Sequence, residues 1–245
     1  MDLNCDLGEG YGVWRMGDDA AVMPFIDRAN IACGFHAGDY AIMQNTVRLA
    51  KQHQVLIGAH PSYPDRHGFG RRAMSFSDDE LQAMLLYQLG SLDAICRAEQ
   101  VPLSYVKPHG ALYNAMQVDS KLFEAVVRTL QAFNRGRAEP LALMTLAKIH
   151  RETETDIAAK YEVPLLFEAF ADRRYEANGE LRARNFEGAV LLDHESIVSQ
   201  ALAFATGQSI QSHDGTELWL AADTLCVHGD NPHALAAVKA IRENL

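Results

Sequence analysis

Four histidines in this chain follow short apolar runs and adjoin small residues: His36 in CGFHAGD, His60 in IGAHPSYPD, His109 in VKPHGALYN and His228 in CVHGDNP. Acidic and amide groups occupy similar places. Asp2, Asn4 and Asp6 alternate, so on an extended strand they share one face. Glu9 follows them, and Asp39, Asp65, Glu168, Asp172 and Asp230 lie at or just beyond the ends of other apolar runs. Positive charge comes from Lys107, Arg173 and the Arg71–Arg72 pair. Two chemistries suit this set. Imidazoles and carboxylates could hold a divalent metal that activates water, with Asp6, His36, His60 and His109 as candidate ligands. The same groups could instead act as metal-free general acid and base beside cationic stabilisers such as Lys107 and Arg173.

Several of these residues have structural roles open to them as well. Asp39 stands where an N-cap is needed for the helical stretch YAIMQNTVRLA. Asp2 and Asp6 could form ion pairs with Lys107 or Arg173. Cys5 and Cys33 read as small core residues, since neither has an activating base nearby in sequence. The constellation is nonetheless costly for a purely structural core, because unpaired buried polar groups destabilise the fold.

Residues from such distant parts of the chain meet only if the fold brings them to one place. Short β-branched or apolar runs alternate with helix-period segments, the pattern of βα units around a parallel sheet. The predicted strands are Asp2–Asp6, Arg28–Cys33, Val55–Ala59, Ser104–Lys107, Leu141–Thr145, Leu165–Phe170, Gly188–Leu192 and Thr224–Val227. Between them, Ser77 with Glu80 makes a capping box before Leu81, Met84, Leu85, Leu92, Ile95 and Cys96, which recur at helical spacing. Asp119 caps a second helix with Leu122, Val126, Leu130 and Phe133 on its apolar stripe, and Asn231-Pro232 opens a last one. The fold class expected is α/β, a (β/α) barrel of seven or eight parallel strands forming one domain over residues 1–245, with an open doubly wound sheet as the alternative. In a barrel the C-terminal strand ends converge on one mouth, which would gather the polar residues named above.

The chain has 245 residues, 48% of them hydrophobic, enough for one large core. Its formal net charge of −10 and lack of a basic run argue against affinity for nucleic acid or anionic lipid. Cys5, Cys33, Cys96 and Cys226 have no CxxC spacing, as expected of reduced, buried thiols. No signal-peptide layout and no membrane-length apolar run is present, so a cytoplasmic protein is expected. GxGxxG, GxxxxGK[ST], HExxH and GxSxG patterns are all missing, which removes the usual sequence warrants for dinucleotide, P-loop, zinc-protease and serine-hydrolase sites.

Six segments, DLNCDLGEGYG, ANIACGFHAGD, IGAHPSYPDRHGFGRR, VKPHGALYN, FEAFADRRYEANGELRAR and CVHGDNPHAL, resemble in order the signatures of the LamB/YcsF family. The resemblance spans Asp2 to Leu235. It implies a barrel related to the glycoside hydrolase and polysaccharide deacetylase superfamily. It further implies a hydrolase that acts as the A subunit of an ATP-dependent 5-oxoprolinase, opening the lactam of 5-oxoproline to L-glutamate while ATP is hydrolysed to ADP and phosphate. Partner subunits B and C, which resemble allophanate hydrolase and carboxyltransferase-type proteins, are implied too. One loop departs from the family pattern: after ADRRY the family usually runs through a segment like LVPRSQPGA, whereas this chain reads LRARNFEGAVLL, keeping Arg184 and Gly188-Ala189.

Under that reading Asp6, His36, His60 and His109 position and deprotonate water, with Lys107 completing the catalytic set. Asn4, Glu9, Asp39, Arg71, Glu168, Asp172, Arg173, His228 and Asp230 are the substrate-binding candidates; Lys107 and Arg173 would hold the substrate carboxylate or developing phosphate charge. ATP needs no P-loop if its phosphates rest on helix N-termini or small-residue turns such as those after His36 and His228. The alternatives are a metal-dependent, deacetylase-like amide hydrolase and a non-catalytic subunit that captures 5-oxoproline.

Overall fold

The computed structural model describes residues 1–227 and 232–245. Its centre is a closed parallel barrel of seven strands: β1 (Asp2–Leu7), β2 (Arg28–Ala32), β3 (Leu56–His60), β4 (Leu103–Val106), β5 (Ala142–Leu146), β6 (Leu165–Phe170) and β9 (Thr224–Cys226), with β9 pairing both β6 and β1. A two-stranded antiparallel sheet, β7 (Ile210–Gln211) and β8 (Glu217–Leu218), lies outside it. The helices are α1 (Asp19–Val22), α2 (Tyr40–His53), α3 (Asp78–Ala98), α4 (Gly110–Val118), α5 (Ser120–Asn134), α6 (Glu152–Lys160), α7 (His194–Ala205) and α8 (Pro232–Asn244). Among the described residues, no helix is long and apolar enough to cross a membrane.

Local chemistry sets these elements. Ser77 and Glu80 form the expected capping box on α3, and Asp39, Asp119 and Asp193 each accept backbone N–H bonds at the starts of α2, α5 and α7. The apolar stripes of α3 and α5, including Leu85, Leu89, Leu92, Phe123, Val126 and Leu130, are fully buried in the core that also takes Leu3 and Cys5 of β1 and Ile57 of β3. Truncating one such leucine to alanine costs about 2–5 kcal/mol, because the surroundings collapse only partly.

Inside the barrel the chemistry is polar. Asn4 donates to Thr224 Oγ1 at 3.1 Å and accepts from Asn30 Nδ2 at 2.9 Å, linking β9, β1 and β2. The Tyr105 hydroxyl of β4 donates to Asn30 Oδ1 at 2.6 Å. Its ring fits only because position 58 is glycine: a Cβ there would sit 2.1 Å from Tyr105. Pairing of this kind offsets the cost of burying so many polar groups.

The structure corrects two expectations. Gly188–Leu192 is no barrel strand. Leu191 donates its N–H to the Asp172 carbonyl and Arg174 donates to that of Ala189, so the segment doubles back antiparallel over the exit of β6 instead of extending the parallel ladder. Asp2 shares a face of β1 with Asn4 and Asp6 but does not reach the mouth: it lies at the opposite end of the barrel from the strand exits, half exposed, and pairs with Arg28 at 2.9 Å. The Asn231 cap falls outside the described residues.

Candidate functional site

A cavity of about 960 Å³ opens at the mouth formed by the C-terminal strand ends. Asp6, Glu9, His60, Arg71, Lys107, His109 and Arg173, all candidates from sequence, line it together with Arg66, Tyr113, Phe170 and Arg184. Polar groups can converge here because each parallel strand delivers its last side chains to the same end. His60 is the final residue of β3, His109 the N-cap residue of α4, and His36 lies in the turn between β2 and α2.

Asp6 and Lys107 form the centre of the polar network. Lys107 Nζ donates to Asp6 Oδ1 at 3.1 Å and Asn4 Oδ1 at 3.2 Å, lies 2.9 Å from Glu168 Oε2, and is 3.2 Å from Cys226 Sγ. Burial alone would lower the Lys107 pKa, but Asp6, Cys226 and Glu168 carry it well above the ordinary lysine value. The ammonium is therefore charged and engaged by protein acceptors, a geometry suited to holding Asp6 ionised and oriented. Asp6 Oδ1 also accepts from Asn30 Nδ2 at 2.8 Å, and Oδ2 lies 3.3 Å from His60 Nε2. Glu168 is fully buried beneath the cavity; its carboxyl is raised by that burial despite Lys107.

Three histidines of the mouth form a second group. His36 and His109 stack with ring centroids 3.8 Å apart, and His60 meets both edge-on. His36 Nε2 is 3.0 Å from Glu9 Oε1, and His109 Nδ1 is 2.9 Å from His60 Nε2. Burial, reinforced by the neighbouring imidazoles, pushes the pKa of both His36 and His109 well below the usual histidine range. The side-chain donors of Glu9, His36, His60 and His109 all lie within 4.8 Å of one another. Glu9, and not Asp6, is the carboxylate grouped with the three imidazoles.

Cations gather along the rest of the wall. Arg71 packs over Phe69, 5.1 Å from its ring centroid, while its neighbour Arg72 turns away to pair with Asp65. Arg173 donates to the carbonyls of Ala189 and Arg182, and its pKa falls to about 10, first through burial and then through the charge of nearby Arg184. Ala183, Arg184 and Asn185, in the loop that follows β6, form part of the cavity wall.

Other predicted residues sit apart from the cavity. Asp39 Oδ1 accepts from Ala41 and Ile42 N–H at 2.9 Å, and Oδ2 from Gly12 N–H at 2.8 Å, so its carboxylate caps α2 and ties down the loop after β1. Asn4 lies below the floor as a buried strut. Asp172 flanks Arg173 at the β6 exit. His228 and Asp230 lie outside the described residues. All four cysteines are free and buried, and burial raises each thiol, with Cys33 and Cys96 reaching about 12.

Asn30 and Tyr105 escaped sequence reasoning. Asn30 bonds Asn4, Asp6 and Tyr105, and its only signal was one amide inside an apolar strand, RANIA.

The LamB/YcsF family model matches residues 1–245. The A subunit of the 5-oxoprolinase of Vibrio cholerae serotype O1 is 51% identical over 245 residues, covering 100% of this chain and 97% of that protein. One of the 5-oxoprolinase A subunits of Pseudomonas aeruginosa is 51% identical over 243 residues, covering 99% and 95%. The crystal structure of a lactam utilization protein from Thermus thermophilus superposes with a TM-score of 0.89 at 40% identity, covering 99% of this chain and 94% of that one.

Proposed function

Because this chain belongs to the LamB/YcsF family, we propose that it is the A component of an ATP-dependent 5-oxoprolinase and that the cavity at its barrel mouth holds the lactam. One observation supports the chemistry above all others: Asp6, paired with buried Lys107 at 3.1 Å, faces the same cavity as Arg71, Arg173 and Arg184. That arrangement suits a general base working beside groups able to hold a carboxylate or a phosphoryl oxygen.

A five-membered lactam keeps its amide resonance and resists water. Phosphorylation of its carbonyl oxygen by ATP makes the ring carbon electrophilic, and water can then add. The C–N bond breaks with its electron pair going to nitrogen, which takes up a proton. The acyl phosphate that results is hydrolysed by a second water to L-glutamate and phosphate. In this scheme Asp6, oriented by Lys107 and Asn30, accepts the proton of the attacking water on Oδ2. The arginines take the charge that accumulates on carboxylate and phosphoryl oxygens.

The relatives' names, each that of an A subunit, support partner subunits for this chain, and B and C components would supply what the barrel lacks for ATP-coupled turnover. The test is L-glutamate formation from 5-oxoproline and ATP by this chain alone, by the partner subunits alone, and by all three together. Activity only in the full mixture is expected. Equal activity of the partners without this chain would overturn the proposal.

A further inference from the structure

We propose that Glu9, His36, His60 and His109 form a binding site for one divalent transition-metal ion of the zinc, cobalt or nickel class. The argument begins with tautomers. His60 Nδ1 lies 2.7 Å from the carbonyl oxygen of Lys107, and His109 Nε2 lies 2.9 Å from that of Phe69. A carbonyl only accepts, so each of these nitrogens carries its ring's proton. The opposite nitrogens, His60 Nε2 and His109 Nδ1, are then both lone pairs in the neutral rings, and they face each other at 2.9 Å. Two lone pairs at that distance repel unless a cation stands between or beside them.

An extra proton on His60 would satisfy this pair, with Asp6 Oδ2 at 3.3 Å as counter-charge. The other two donors pair with each other, His36 Nε2–H with Glu9 Oε1, a contact the ion would replace when both turn their lone pairs to it. Glu9 Oε1 is turned to the same point, 3.0 Å from His36 Nε2 and 3.7 Å from His109 Nδ1. All four donor atoms lie within 4.8 Å. Tetrahedral ligands bound at ~2.0–2.1 Å stand about 3.4 Å apart, so the closest pairs must open by about half an ångström and the widest must draw in, shifts of side-chain size.

The surroundings are those of a metal-ligating histidine site. Backbone carbonyls that accept the non-ligating N–H of two rings fix their tautomer and orientation. Gly70 closes the back of the cluster, where a Cβ would sit 2.8 Å from His109 Cδ2 and 2.9 Å from His36 Cβ. Three imidazoles with one carboxylate select zinc, cobalt or nickel over magnesium or calcium, which prefer all-oxygen ligands.

The inference concerns cation binding alone and stands whether or not the lactam reaction proposed above is correct. Its test needs no turnover. Chain stripped with a chelator and dialysed is titrated with ZnCl2, CoCl2 and MgCl2 by calorimetry, and metal per chain is measured by mass spectrometry of the acid-digested protein. One equivalent of zinc, a visible absorption band on cobalt loading, and no competition by magnesium are expected. Glu9→Gln, on a partly exposed loop, and His109→Asn should each weaken zinc binding by about 100-fold with the circular dichroism of the folded chain intact. A folded wild-type chain that binds neither zinc nor cobalt below millimolar concentration would overturn the proposal. So would binding unchanged in Glu9→Gln, which would assign the ion to another surface.

Discussion

The Lys107 ammonium lies 3.1 Å from Asp6 Oδ1 and 2.9 Å from Glu168 Oε2, so a single buried cation is shared between carboxylates delivered by β1 and β6. Removing it strands both. Lys107→Met should destabilise the chain by about 3–5 kcal/mol, the usual result of breaking a buried pair and leaving its partners uncompensated. The double variant Lys107→Met/Glu168→Gln should recover part of that loss, because one of the stranded charges is gone. Urea denaturation of the single and double variants measures both effects, and a double variant no more stable than the single one would show that Glu168 is not charged in the folded state.

Gly70 provides a second test of how the histidines are held. Its φ of +65° is strained for any other residue, and its missing side chain is what allows His36 and His109 to pack against the loop. Gly70→Ala should cost about 1–3 kcal/mol in thermal or urea stability. It should also reduce glutamate formation in the complete mixture, since the loop's Phe69 carbonyl orients His109. Loss of stability with full activity would mean that the orientation of His109 does not matter to turnover.

Asp65 gives the loop a pH dependence of known sign. Its carboxyl is held near 2, against an ordinary value of 3.8, by the Arg72 guanidinium and by the N–H groups of Arg72 and Gly68. The folded pKa is depressed, so the unfolded chain binds more protons between these values. The contribution of Asp65 to stability is complete above about pH 4 and is lost as pH falls towards 2. Asp65→Asn should therefore flatten the decline in urea midpoint between about pH 4 and about pH 2 relative to wild type. Parallel curves would remove Asp65 from the acid response.

The barrel was legible because its strands are apolar runs of the right length, separated by helices that announce their starts through Ser77, Asp39 and Asp119. Convergence of Asp6, His60, Lys107 and His109 followed from that topology without any contact being known. Chain direction after a strand was not legible. Gly188–Leu192 has strand-like residues, but whether such a run continues a parallel ladder or folds back over the β6 exit depends on tertiary partners such as the Asp172 carbonyl. The inward role of Asn30 was hidden for a similar reason: one amide in a five-residue strand carries no periodic signal. Asp39 met the criteria of a site residue and of a cap equally well, and only the backbone N–H groups around it distinguish the two.

The proposed division of labour at the mouth predicts two kinetic signatures that differ. Asp6 Oδ2 faces His60 and the cavity, so Asp6→Asn, which keeps the amide-sized shape and loses the base, should lower kcat for glutamate formation by about 10²–10⁴-fold. KM for 5-oxoproline should change little, because the substrate's charge is met elsewhere. Arg184 lines the cavity from the loop that follows β6, so Arg184→Ala should raise KM for 5-oxoproline or ATP with kcat largely kept, the pattern of lost uniform binding. Steady-state kinetics of the reconstituted mixture, varying each substrate in turn, separates the two. If Asp6→Asn raised KM and spared kcat, the carboxylate would be a binding group and not the base.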